Sequence, residues 1–365
     1  ILSLSNLPSL KEVTVGVDSF TDKGNGPRSF SINSCSSLLR IVIGDGSFKE
    51  YCSMELHNLP CFHTLALGKR CFYSTSVFSL RDLNQLESLT LGEEAFCNCQ
   101  SVVLENLSCL KSISLGKRAF CGDSNGNRKG SDKSPFDYKN TFTMKNCPSL
   151  TTIVGESGNM SYFRSIVFCD LPKLHSIEMG AKCFVFVTSF SALNLSQLQS
   201  IRFGNSVLQM CPHVVFENLT QLSSLVMGED CCTCSRSLQL SNLSNLRAIQ
   251  LGKKCFYYCQ QVVLENLSQL QSIELGCDAL HGDDRDNRKR IQKEPFEYMN
   301  CTRLKNLPSL THFKGEGNNF RTIGLISLEN VTNLNKDAIR IGDGCFMFTY
   351  SLHSTNATNG RQNLH

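Results

Sequence analysis

No tryptophan occurs in this 365-residue chain, so aromatic packing falls to 23 Phe and 8 Tyr. No run of about 18 apolar residues is present, which excludes a helical membrane span. No secretory signal peptide is visible. Charge of one sign is scarce: 36 basic against 32 acidic residues leave a formal net charge of +4. That is too little to mark nucleic acid as the main partner. Glycine-rich phosphate loops, metalloprotease helices and nucleophile elbows are all missing. The 8 His are scattered without a recurring partner. The chain therefore reads as non-catalytic, with no catalytic residue, cofactor or metal ligand assigned. Hydrophobic content of 41% and charged content of 19% are ordinary for a folded protein.

What the sequence does have is a period. Gly16, Gly44, Gly68, Gly92, Gly116, Gly155, Gly180, Gly204, Gly228, Gly252, Gly276, Gly315 and Gly342 each follow a short apolar alternation, most of them 24 residues apart. Length alone would suggest two or more domains, but such a period takes precedence and falls in the leucine-rich-repeat range. One unit runs from Val262 to Gly276. Its Leu270-x-x-Ile273-x-Leu275-Gly276 end predicts a short strand with one face inward. The Gly supplies an unusual backbone angle or a close approach. Val262-x-Leu264-x-Asn266-Leu267 predicts a second extended segment on another face. One coil cannot bury its apolar side, but stacked coils bury a continuous core. The expected fold is mainly β, a solenoid of about 13 coils, continuous over 1–352, with 353–365 as a tail or continuation loop.

A small residue and then Phe follow the Gly, as in Cys71-Phe72, Ala95-Phe96, Ala119-Phe120, Cys183-Phe184 and Cys255-Phe256. Stacking would align these rings into a spine, with Leu208 and Leu280 substituting. Asn6, Asn58, Asn106, Asn146, Asn194, Asn218, Asn242, Asn266, Asn306 and Asn330 share one repeat position, with Ser34, Asp82 and Asp170 in other coils. The reading is a buried ladder satisfying turn backbone. The run Ala95-Phe96-Cys97-Asn98-Cys99 after Leu89-Thr90-Leu91-Gly92 resembles the Ala-Phe-x-x-Cys signature of BspA-like leucine-rich repeats, echoed by Phe256-Tyr257-Tyr258-Cys259. The resemblance covers about 1–352. Gly where the bacterial form often has Pro, and the Asn-Leu segment, look more like surface proteins of unicellular eukaryotes. The resemblance implies a cell-surface or secreted protein with adhesive or recognition roles. A cytoplasmic scaffold is the alternative.

Two longer spacings carry related inserts, 121–140 and 281–300, lying 160 residues apart like Gly68 and Gly228. A six-coil unit has been duplicated. The candidate interaction residues are Asp123, Asn127, Arg128, Lys129, Phe136 and Tyr138 in the first insert. Asp283, Asn287, Arg288, Lys289, Phe296 and Tyr298 are their counterparts. Tolerated surface loops are the competing reading. Asp123-x-Asn125-x-Asn127 resembles a calcium loop, but the basic residues that follow disfavour a cation. They point instead to an acidic protein or glycan surface. The chain opens inside a repeat, as a mature chain or a segment of a longer one would. The 23 residues after Gly342 and the 16 up to Gly16 together match a 39-residue insert spacing, which raises end-to-end self-association into a filament.

Twenty Cys admit a disulfide framework or buried free thiols. The second is favoured because the residue before Phe alternates among Cys, Ala and Ser. Cys231/Cys255 and Cys97/Cys121 are the adjacent-coil exceptions. Cys231-x-x-Cys234 lacks a second zinc ligand pair. Among the Asn-x-Ser/Thr sequons, Asn159, Asn300 and Asn356 lie off the ladder and are the favoured N-glycosylation sites. Ladder sequons at Asn106, Asn194, Asn218, Asn242, Asn266 and Asn330 rank below them, and an exposed ladder would overturn that order.

Overall fold

The computed structural model describes residues 1–21, 26, 28–124, 139–283, 300–349 and 351–356. Each coil contributes two short strands, and equivalent strands of neighbouring coils pair in parallel. The chain divides into two compact units, Ile1–Ser196 and Gln197–His365. In the first, eight strands from Leu2–Ser5 to Ser189–Leu193 form one sheet, and seven from Glu12–Val15 to Ser176–Met179 form the other. In the second, six strands from His213–Glu217 to Ser351–Thr355 face six from Ser200–Phe203 to Ile339–Ile341. The only helical element among the described residues is the 3-10 turn Lys336–Ala338. The result is a parallel β-solenoid of about 13 coils. Its regular pattern continues past 352, because Ser351–Thr355 pairs with Leu325–Glu329.

The coil 77–100 shows why the sequence closes. Phe78 and Leu80 point inward from Val77–Arg81, and Leu89 and Leu91 from Ser88–Leu91. Leu83 and Leu86 fill the bend between them, where the Leu86 N–H donates to the Leu83 carbonyl at 3.0 Å. Alternation puts every second strand residue into the core. Rings then stack along the first unit: Phe20 on Phe48 at 4.6 Å, Phe48 on Phe72 at 5.1 Å, Phe72 on Phe96 at 5.3 Å.

Three corners of each coil sit at positive φ. In the coil that starts at Asp82 they are Asp82 at 57°, Glu94 at 56° and Phe96 at 51°. A Phe in this region is costly in isolation. Here each corner amide is tied to a neighbouring coil: Glu94 N–H to Lys117 O at 2.8 Å, Phe96 N–H to Cys71 O at 3.0 Å. Asn tolerates this conformation better than most residues, which explains the ladder. The ladder is exposed, contrary to the buried reading: Asn194, Asn218, Asn242 and Asn266 are all solvent-accessible. Its amides bond along the axis, each Nδ2 donating to Oδ1 of the preceding coil. Asn242 donates to Asn218 at 3.0 Å, Asn266 to Asn242 at 2.9 Å and Asn306 to Asn266 at 2.7 Å.

The turn glycines are required by close approach. A Cβ on Gly92 would lie 2.5 Å from Gly68 C, and one on Gly252 2.6 Å from Gly228 C. Gly155 and Gly315 do not belong to this column. Gly155 pairs with Leu115 and Gly315 with Leu275, so each ends a strand in an inward slot. The insert coils are therefore 40 residues long, with Glu156 and Glu316 in the turn position. The substitution is paired. Asn159 and Asn319 occupy the small slot before the spine residue, and a Cβ at Gly155 or Gly315 would meet their Oδ1 at 2.7 and 2.5 Å.

That slot also explains five of the twenty cysteines, Cys71, Cys183, Cys231, Cys255 and Cys345. Its polar atom donates to the turn carbonyl of the preceding coil: Ser47 to Gly16 at 2.7 Å, Cys71 to Gly44 at 3.2 Å, Cys255 to Gly228 at 2.8 Å, Asn159 to Gly116 at 2.8 Å. Gly155→Leu alone should overpack against Asn159 and destabilise the chain by about 2 kcal/mol. Combining it with Asn159→Cys, which restores the common pair, should recover most of that loss in urea unfolding. Equal destabilisation of the single and double variants would refute the pairing.

Candidate interaction surface

Both inserts leave the solenoid at the corner just after the spine residue, and their bases are built alike. Gly122 at φ 96° and Gly282 at φ 98° turn the chain outward. A Cβ there would strike the Phe163 ring at 3.0 Å or Thr322 Oγ1 at 2.3 Å. Asn140, 2% exposed, donates to Asp123 O at 3.1 Å and to Tyr162 O at 2.8 Å. Its bond to Asp123 ties the outgoing and returning strands of the insert together. Asn300 repeats the clasp, to Asp283 O at 3.2 Å and Thr322 O at 2.9 Å. Gln100 and Gln260 reach Asp123 Oδ2 and Asp283 Oδ2, each at 3.0 Å. Of the sequence-derived candidates, Asp123 and Asp283 therefore belong to the base. Asn127, Arg128, Lys129, Phe136 and Tyr138, with Asn287, Arg288, Lys289, Phe296 and Tyr298, lie outside the described residues.

Partly exposed aromatic residues flank each base. Tyr162 stacks on Phe186 at 5.3 Å, and Tyr257 on the His281 ring at 4.5 Å. In the first unit Tyr73 lies under Lys49 and Arg70 at 5.9 and 5.4 Å. The Ala/Cys-Phe pattern does not announce these rings, because they occupy variable positions just beyond it.

The sequons reverse their expected order. Asn159 is fully buried, and its amide donates to Gly116 O and Ala119 O. Asn300 is 4% exposed, and Thr302 of the same sequon is buried as well. Neither amide has room for a glycan in the folded coil, so both are corrected as glycosylation sites. Asn356 is exposed, but it sits on the ladder, donating to Asn330 Oδ1 at 3.3 Å. The accessible sequons are thus ladder sequons.

All twenty cysteines are free thiols, and twelve are buried. Burial pushes Cys71 up to about 11 and Cys183 to about 12, so these thiols stay neutral donors. Cys97 behaves differently. A hydrogen bond from Cys121, followed by Arg118, brings it down to about 7, while the same contact pushes Cys121 up. The two titrate as one pair. Cys231 and Cys255 form a second contact of this kind. Among the described residues, no cluster of three or more His, Cys, Asp or Glu is placed to hold a metal ion. Among the described residues no helix is long and apolar enough to cross a membrane.

The repeat sequence behind the strand pairing, the αL corners and the Phe column matches a family model. Its description is BspA type leucine rich repeat region, with six copies matched over 41–175, 134–238 and 189–281. The chain belongs to the BspA-type leucine-rich-repeat family. No curated protein matches it. As a BspA-type solenoid it is a repeat protein of the protein-binding class, typically without catalytic activity.

Exposed Cys52 and Cys61 should react with a thiol reagent within the mixing phase in native buffer, and the buried twelve only on unfolding. Rapid native labelling of Cys71 or Cys183 would contradict the closed slot. Glycopeptide mapping of folded, secreted material should find Asn159 and Asn300 bare. Any glycans should sit on the ladder or Asn356, and not on adjacent coils, which are only about 4.8 Å apart. A glycan at Asn159 in folded protein would overturn the burial.

Proposed function

We propose that this BspA-type chain is a non-catalytic binding solenoid that works outside the cell or at its surface, in adhesion, recognition or matrix assembly. The observation that carries this reading is the duplicated insert base. The same Gln, Asp and Asn clasp holds both inserts, at Gln100, Asp123 and Asn140 and again at Gln260, Asp283 and Asn300. A 24-residue coil closes without an insert, so the extra residues are not needed for stacking. Two copies held on the same framework favour avidity over a single tight site. The basic and aromatic residues of the inserts suit an acidic protein surface or a glycan.

A second reading, an intracellular scaffold, is favoured by the free thiols, since an oxidising compartment selects for disulfides.

Deleting 124–139 and 284–299 should leave coils of ordinary length. We expect unchanged cooperative unfolding and at least about a tenfold loss of binding to cell surfaces, matrix or glycan arrays. Undiminished surface binding would remove the inserts from the function. Binding confined to cytosolic partners would favour the scaffold.

A further inference from the structure

The two units carry opposite charge patterns at one rigid corner. In the first unit, the two residues after the turn glycine are Lys69-Arg70, Glu93-Glu94 and Lys117-Arg118 in three successive coils. The duplicated positions, 160 residues on, are Glu229-Asp230, Lys253-Lys254 and Cys277-Asp278. Every residue at the second position changes sign, and at the first position Lys69 and Glu93 do so while Lys117 is replaced by Cys277. The flanking coils have Gly46 and Gly158 at the second of these positions in the first unit, and Ser206 and Asn318 in the second. At the second position each stripe is therefore three coils long, while Asp45 at the first position and Glu156 and Glu316 in the turn position add acidic groups beside it.

The corner is built to hold these groups still. Arg70, Glu94 and Arg118 lie at φ 57°, 56° and 58°, and Asp230, Lys254 and Asp278 at 56°, 57° and 61°. Each backbone N–H is bonded to the following coil, Arg70 to Glu93 O at 2.7 Å and Asp230 to Lys253 O at 2.8 Å for example. In the first unit the stripe is partly self-paired, with Arg70 and Arg118 at 3.3 and 3.6 Å from Glu94. In the second, Asp230, Lys254 and Asp278 alternate in sign on successive coils but make no ion pair within 4 Å among the described residues.

We propose that this corner is a self-association surface, on which the plus-minus-plus stripe of one molecule meets the minus-plus-minus stripe of a second copy. Both stripes advance by one coil, about 4.8 Å, so their charges stay in step over the whole contact. A partner without this rise would lose register. Both patterns are palindromic, so parallel and antiparallel approaches match equally well. A slip of one coil sets like charges together, which penalises the wrong register. Spread over about 10 Å, the stripe acts as one unit at moderate salt.

The test is sedimentation velocity of the full chain over a concentration series. Raising salt from about 10 mM to about 1 M shortens the screening length from about 30 Å to about 3 Å. Wild type should associate at low salt, with the association at least about tenfold weaker at high salt. E93K/E94K and K253E/K254E should each associate at least about tenfold more weakly than wild type at low salt. Their equimolar mixture should associate again, because an all-positive stripe then meets an all-negative one. If a reversal disturbs folding, which far-ultraviolet circular dichroism reports, the neutral variants E94Q and K254Q should each still weaken the low-salt association, with no recovery expected on mixing them. A wild type that stays monomeric at low salt would overturn the proposal. So would variants that associate like wild type, or a mixture with no recovery.

Discussion

The structure depends on amide groups at corners where the backbone turns left-handed. A coil of this length cannot turn back on itself with strands alone, and in each unit it does so at three residues of positive φ. Such residues, when bulky or charged, cost about 1–2 kcal/mol each in an isolated chain. They persist because their N–H groups bond the neighbouring coils, some forward and some back, as Glu94 and Phe96 do. The same geometry fixes what the side chains do. The spine residue falls inward onto its predecessor, the ladder residue faces water, and the corner after the turn glycine points outward. Core, ladder and charged stripe are three outcomes of one backbone solution.

Much of this was legible in the sequence. Strand positions, inward residues and the Phe column follow from a period of 24 and an alternation of two. The ladder was legible as a column and misread in its surroundings. A polar residue fixed among apolar ones looks buried, whereas Asn recurs there for its tolerance of positive φ and its axial amide bonds. Periodicity reports which positions repeat and is silent on the torsion angle that makes them repeat. Gly155 and Gly315 were misplaced for a related reason. A glycine one residue from the column resembles a member of it, and only the pairing with Leu115 and Leu275 shows a strand end. The consequence reached the sequons. Asn159 lies off the ladder in sequence, and only the packing shows that it fills the slot shared with Cys71 and Ala95.

The small slot links composition to chemistry. Its occupant must fit beneath the turn and, in many coils, donate to a turn carbonyl. Ser, Cys and Asn do both, and Ala does only the first. Cysteine recurs in the slot because a thiol is a small, buried, neutral donor, which makes Cys71, Cys183, Cys231, Cys255 and Cys345 packing residues. The Cys97–Cys121 and Cys231–Cys255 contacts arise where two successive coils place thiols side by side.

Comparison of the two duplicated units separates what the fold requires from what it leaves open. The insert clasp is the same at Gln100, Asp123 and Asn140 as at Gln260, Asp283 and Asn300, and the Gly155/Asn159 exchange recurs as Gly315/Asn319. These positions touch neighbouring coils, so a change in one demands a change in another. The outward corner is less constrained. A Glu, Lys or Asp side chain leaves the same backbone and the same amide bond behind it, although Glu94 still pairs with Arg70 and Arg118 of the neighbouring coils. Alternation of sign from coil to coil within a stripe follows from pairing along the stack, as Glu94 pairs with Arg70 and Arg118. Such pairing does not fix which sign comes first, yet the order reverses as a block between the two stripes, at Arg70 and Asp230, Glu94 and Lys254, Arg118 and Asp278. A reversal that the fold does not demand gives each stripe a complement of equal period, which is the relation that contact with another copy of the same solenoid requires.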